Sequence, residues 1–153
     1  MSLGPWVLLG AVVIAAGIGI GWALTNGVFR GTRRVGRPGP TDAERPVPPV
    51  TSVLAGTAYD VRRGERATLL QFSSAFCAPC RATRRTLADA ARSLPGVAHV
   101  EIDAEHHLGL VRELGVLRTP TTLVLDAEGR ELARATGAPR PGQVHAALQA
   151  AIS

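Results

Sequence analysis

The chain has no lysine. All 17 of its basic residues are arginine, set against 12 acidic ones, for a formal net charge of +5. Aromatics make up 4% of it, and it holds one tyrosine, one methionine and two cysteines. A nucleic-acid-binding surface gathers basic residues with stacking aromatics on one face. Here the aromatics are too few, and the arginines are scattered or sit beside a hydrophobic segment, so no nucleic-acid partner is expected. Arginine without lysine, together with abundant Ala, Gly and Pro, has the look of high-GC bacterial coding, which weakens any argument from net charge alone. No nucleotide-binding fingerprint is present either, because the glycines of GAVVIAAG (Gly10 to Gly17) lie inside an apolar run. No cofactor and no metal are expected. Apolar content of 46% and charged content of 19% exclude a disordered chain and suit one globular domain plus an extra segment.

Charge is wholly absent from Met1 to Phe29. Within that stretch Trp6 to Leu24 is long and apolar enough for a bilayer-spanning helix, with Trp6 and Trp22 near its two ends. A signal peptide would carry a positive start and a small-residue cleavage site, and neither is seen. The expectation is a retained single-pass anchor over 1–29 in the cell membrane. Arg30, Arg33, Arg34 and Arg37 follow it and none precedes it, so the positive-inside rule places the N-terminus outside and the rest in the cytoplasm, with an extracytoplasmic domain as the alternative. Residues 30–49 read as an Arg/Pro-rich linker; Arg37 to Pro49 alone holds five prolines, a semi-rigid spacer. The folded domain is expected over 50–153.

Within that domain the patterns predict a buried strand at Ala67 to Ser74, a helix from the CAPC stretch to Leu94, and a strand at Val97 to Asp103. A short helix from His106 to Leu114, a strand at Thr121 to Asp126, a turn, a strand at Glu131 to Thr136 and a helix from Gln143 to Ile152 follow. On the first of these helices Leu87, Ala88, Ala91 and Leu94 are expected on one face. The order implies an α/β fold of three layers, with a mixed central sheet covered by helices on both faces. Val50 to Gly64 is ambiguous.

Both cysteines fall in SSAFCAPCR, with two residues between them, at a strand-to-helix junction. As a structural staple the pair would close a tiny loop and add little stability. A zinc site needs four ligands, and the adjacent His106 and His107 lack the usual spacing. As a redox pair, Cys77 at the helix start would point its sulfur at free backbone N–H groups that favour a thiolate, with Arg81 one turn on adding positive potential. Cys80 would then be the resolving thiol, and Pro79 is tolerated in the first turn.

At this point the chain resembles the thioredoxin superfamily over about Ala67 to Ile152. The likeness rests on LLQFSSAFCAPCR, on VEIDAE (Val100 to Glu105), on GVLRTPTTLVLDAEGRE (Gly115 to Glu131) and on TGAPRPGQV (Thr136 to Val144), in that order. It implies a thioredoxin-like domain whose Thr119–Pro120 bond is cis and packs against the CAPC loop, with the Thr119 backbone pairing to an extended substrate segment. It also marks departures. Phe76 stands where the family usually has Trp, and Ala78 where it has Gly. Gln71 takes the place of a buried Asp that helps remove the resolving thiol's proton, and His99 the place of that Asp's Lys partner. Gln71, Arg81 and His99 are thus candidates for proton transfer or support of the site.

The activity implied is thiol–disulfide exchange on protein disulfides, with an upstream dithiol or small thiol as electron donor. Pro79 between the cysteines accompanies reductases in this superfamily, so a membrane-tethered reductase is expected. An outward-facing reductase of the TlpA or ResA kind, acting on exported proteins or apocytochromes, has the same layout but needs positive charge before the membrane helix. A redox-inactive tethered binding module is the reading of another class.

Overall fold

The structure, a computed structural model, describes residues 4–25, 27–31 and 52–153, with the side chains of 6–21, 27–31 and 52–153. Most of the expected linker, 32–49, and the Trp22 side chain lie outside the described residues. Four helices and five strands are described: α1 (Gly4–Thr25), β1 (Phe29–Gly31), β2 (Ala67–Ser73), α2 (Ala78–Ser93), β3 (Val97–Asp103), α3 (Leu108–Glu113), β4 (Thr121–Asp126), β5 (Glu131–Thr136) and α4 (Pro141–Ile152). The sheet runs β1-β5-β4-β2-β3 and is mixed: β2 and β3 are parallel, and the other pairs are antiparallel.

Every residue of β2 is buried, because the strand is central and covered on both faces. Its alternation sorts the core into two layers. Leu70 and Phe72 pack with Leu54, Val100, Ile102, Leu123 and Leu125 on the face that α3 and Tyr59 cover. Ala67 and Leu69 pack with Leu87, Ala90, Val124, Val144 and Leu148 beneath α2 and α4. The buried stripe of α2 is Cys80, Thr83, Leu87 and Ala90. It differs from the expected face: Ala88 and Ala91 are half-buried, because the helix is rotated to bring Cys80 onto the sheet. The ambiguous lead-in is a series of turns with one 3-10 turn, Asp60–Arg62, tied on by Val53 N–H donating to Gly129 O.

Two elements bear on the N-terminal segment. α1 is helical, and its large side chains, Trp6, Leu8, Val13, Ile18 and Ile20 among them, stand exposed. Among the residues whose side chains are described, no helix is long and apolar enough to cross a membrane. β1 was not foreseen. Phe29, read as the end of the anchor, and Arg30, read as the head of the linker, form an edge strand paired antiparallel to β5. β1 therefore begins with only three residues, 26–28, between it and α1, across the expected boundary of anchor and linker.

Candidate active site

β2 ends at Ser73, and the chain turns through Ser74 to Phe76 into α2. Cys77 is the residue that caps α2: its backbone is extended, and its Sγ accepts from the Cys80 N–H at 3.1 Å. The sulfur thus occupies the place of a capping oxygen, facing the unpaired N–H groups and the positive end of a 16-residue helix. Ala78 and Pro79 complete the first turn, where a missing N–H costs nothing. Cys77 and Cys80 are joined as a disulfide with Cα atoms 5.2 Å apart. Their exposures differ. Cys77 is half-exposed, whereas Cys80 retains 1% of its surface because α2 lays it against β2. An attacking partner can reach the first sulfur only, which separates the two roles.

The Thr119–Pro120 peptide is cis, and Pro120 is buried at the head of β4. Ser74 and Thr119 join the two loops through their hydroxyls, 2.9 Å apart. Phe76 in the disulfide loop is fully exposed, Leu117 ahead of the cis-proline is 95% exposed and Leu108 at the start of α3 is exposed. A groove of about 270 Å³ opens at the Ser74–Thr119 contact, lined further by Leu108, Val116, Leu117 and Arg118. Arg81 is exposed, and its backbone N–H donates to Cys77 O.

Beneath α2 lies a connected polar chain. Gln71 is fully buried; its Nε2 donates to Cys80 O at 3.0 Å and to Ser73 Oγ at 2.8 Å, and its Oε1 faces His99 Nε2 at 3.1 Å. With both amide hydrogens used, Oε1 accepts, so His99 Nε2 carries a hydrogen. Ser73 donates onward to Glu101 Oε1 at 2.5 Å, and Arg84 holds both Glu101 oxygens at 2.8 and 2.6 Å. Burial pushes the His99 pKa below its ordinary value, against the pull of Glu101, which favours the neutral ring. For Glu101 burial works upward, but the hydrogen bonds from Arg84 and Ser73 outweigh it and the carboxyl is held below the usual range.

Reasoning from sequence missed Ser73, Glu101 and Arg84. The signal that reveals them is register: Gln71 pairs with Glu101 across β2 and β3, so both side chains point to the α2 side. The two histidines weighed as metal ligands are engaged elsewhere. His106 Nδ1 lies 2.9 Å from Asp103 Oδ2, and His107 lies between Asp103 O and the Tyr59 hydroxyl.

A family described as a thioredoxin-like domain matches residues 59–152. Among solved structures, thioredoxin f from spinach chloroplast is 26% identical; the match covers 67% of this chain and 93% of that one, with a TM-score of 0.56. Thioredoxin from Trypanosoma brucei brucei is 25% identical, with 60% and 79% covered and a TM-score of 0.51. A mutant thioredoxin from Halobacterium salinarum NRC-1, 18% identical with 58% and 77% covered, shares the fold with a TM-score of 0.54. No curated protein matches the chain.

Proposed function

The chain belongs to the thioredoxin-like domain family and is a thiol–disulfide oxidoreductase, and on that premise we propose that it is a membrane-tethered reductase of protein disulfides. One observation carries the chemistry: Cys77 Sγ takes the capping position of α2, half-exposed, above a buried Cys80. In the reduced protein the Cys77 thiolate attacks one sulfur of a substrate disulfide. A mixed disulfide forms, and the substrate's other sulfur leaves as a thiolate that takes a proton. Cys80 then loses its proton and attacks Cys77 Sγ, closing the disulfide seen here and releasing the second substrate thiol. Two electrons pass from the dithiol to the substrate, and an upstream dithiol or small thiol restores the pair.

The direction is supported by Pro79 between the cysteines. The tether is supported by α1, whose 22 residues would span about 33 Å at 1.5 Å per residue. Its exposed apolar side chains have no place in water, and no charged residue occurs before Arg30. We assign the domain to the cytoplasmic side from the arginines that follow the helix.

Reduction of insulin by the full chain, lost in Cys77→Ser, tests the activity. If insulin is not reduced and Cys80→Ser captures no mixed disulfide in cells, the binding-module reading replaces it. Labelling whole cells with a membrane-impermeant maleimide after mild reduction assigns the side: unlabelled cysteines fit a cytoplasmic domain, and labelled ones an outward-facing reductase.

A further inference from the structure

We propose that the active-site end of the domain faces the bilayer that α1 enters, and that its substrates are disulfides held close to that surface, in juxtamembrane segments of other membrane proteins. The inference rests on the tether proposed above and adds the orientation of the domain and the class of partner.

The argument is one of connectivity. The chain leaves α1 at Thr25 and is fastened to the sheet at Gly27, whose N–H donates to Thr136 O at 2.8 Å. Gly27 has φ +77°, and a Cβ there would lie 2.2 Å from Ala138 O, so its backbone is pressed against the loop that follows β5. Thr136 is the last residue of β5 and pairs with Thr121, the first of β4. Gly137 N–H donates to Pro120 O at 2.8 Å, and Thr121 pairs with Phe72, next to the last residue of β2. The helix exit, the cis-proline loop and the disulfide loop therefore share one end of the sheet. The opposite end carries the Ala127–Glu128 turn.

Distances keep them close. From β1 to β2 there are three strand intervals, about 14 Å at roughly 4.8 Å each. The two residues from Thr25 to Gly27 extend by at most about 7 Å. The disulfide thus lies on the order of 20 Å from the point where α1 leaves the membrane, on the membrane's side of the domain. A tether this short cannot present Cys77 to disulfides deep in the aqueous phase without detaching β1 from β5.

The surface of that end fits the setting. Phe76, Leu117 and Leu108 project from it. Arg81, Arg118 and Arg140 sit there too, Arg118 reaching Thr136 O at 3.5 Å and Arg140 at the N-terminus of α4. Among the described residues, Glu105, exposed, and Asp103, which is bonded to His106, are acidic groups at this end. Apolar projections among arginines suit a partner segment lying at an anionic headgroup layer.

The test uses the full chain in phosphatidylcholine vesicles containing phosphatidylglycerol and a headgroup-spin-labelled lipid. With Cys77→Ser and Cys80→Ser as background, a bimane label is placed at Leu117→Cys or at Glu128→Cys, both exposed positions. Flotation is read first: a chain that does not float with vesicles overturns the tether and this inference with it. If it floats, the label at 117 is expected to be quenched several-fold more than the label at 128. Equal or reversed quenching overturns the orientation and leaves the tether standing. For the partner class, the wild-type chain in such vesicles is given one disulfide peptide in two forms, free or carried on a lipid in the same vesicle. The lipid-borne form is expected to be reduced about 10-fold faster or more at equal bulk concentration, since tethering raises effective concentration only where the geometry allows contact. Equal rates would remove the juxtamembrane substrate class.

Discussion

At residue 71 an amide stands where the resemblance points to a carboxylic acid, and the amide does something an ionised acid cannot: it donates to Cys80 O and Ser73 Oγ together. It ties the first turn of α2 to β2 but accepts no proton, so the Cys80 proton goes to another acceptor, solvent or His99. Gln71→Asp places a carboxyl in a site where burial raises its pKa toward neutrality, the range in which a general base works. Release of substrate from the mixed disulfide, measured in a single turnover, should speed up by about tenfold or more. Loss of the buried bonds should cost about 1–3 kcal/mol of stability, read by urea denaturation. An unchanged release rate would mean that the present acceptor already serves Cys80 equally well.

The neighbours of Gln71 make a prediction about pH. Both His99 and Glu101 titrate lower in the folded chain than in the unfolded one. For each, the unfolded chain binds more protons across the window between the two pKa values, so stability falls as pH falls. The His99 contribution should begin to be lost below about pH 6.5, and that of Glu101 below about pH 4.3. Urea midpoints measured from pH 8 down to about pH 2 should fall in two steps. His99→Gln removes the upper step. Glu101→Gln removes the lower one and lowers stability at neutral pH modestly, because the half-exposed Arg84 partner is screened by solvent.

At the scale of elements, the strands that were legible are those whose patterns run long enough to repeat. β3, β4 and β5 lie where alternation and apolar runs put them, and β2 ends one residue earlier than expected. β1 was not legible, because three residues hold barely one period of alternation and they sit between a run of apolar residues and a run of arginines. The Ser73–Glu101–Arg84 chain was hidden for another reason. Each residue is ordinary in sequence, and only the pairing of β2 with β3 and the rotation of α2 bring them together. β1 also shows where the join between helix and sheet is vulnerable. Gly27→Ala meets both a positive φ and a backbone oxygen that cannot withdraw, at a cost of about 1 kcal/mol or more. A three-residue edge strand has little else to hold it. Amide exchange at Arg134, whose backbone N–H points to β1 opposite Arg30, should therefore quicken, while the urea midpoint of the domain moves little. Unchanged exchange there would show that β1 is held by contacts other than the Gly27 turn.

For the whole molecule, the proposed tether turns on the length of chain between α1 and the sheet. Resemblance to thioredoxins informs the domain alone, since the family match covers residues 59–152 and leaves the helix and its join untouched. If the short join confines Cys77 to the membrane surface, lengthening it should release the domain. Twenty Gly/Ser residues inserted between Asn26 and Gly27 give a flexible reach of roughly 25 Å root-mean-square, comparable to the domain's own size. The insertion leaves Gly27, β1 and the active site intact. Reduction of a lipid-borne disulfide peptide should slow several-fold, because the disulfide loop now samples a larger volume. Reduction of soluble insulin by the same vesicles should rise or hold, because both faces of the domain become accessible. A fall in both rates would mean that the insertion had damaged the site itself, and it would be accompanied by a lower urea midpoint. A fall in neither would mean that the bilayer was never the constraint on substrate choice.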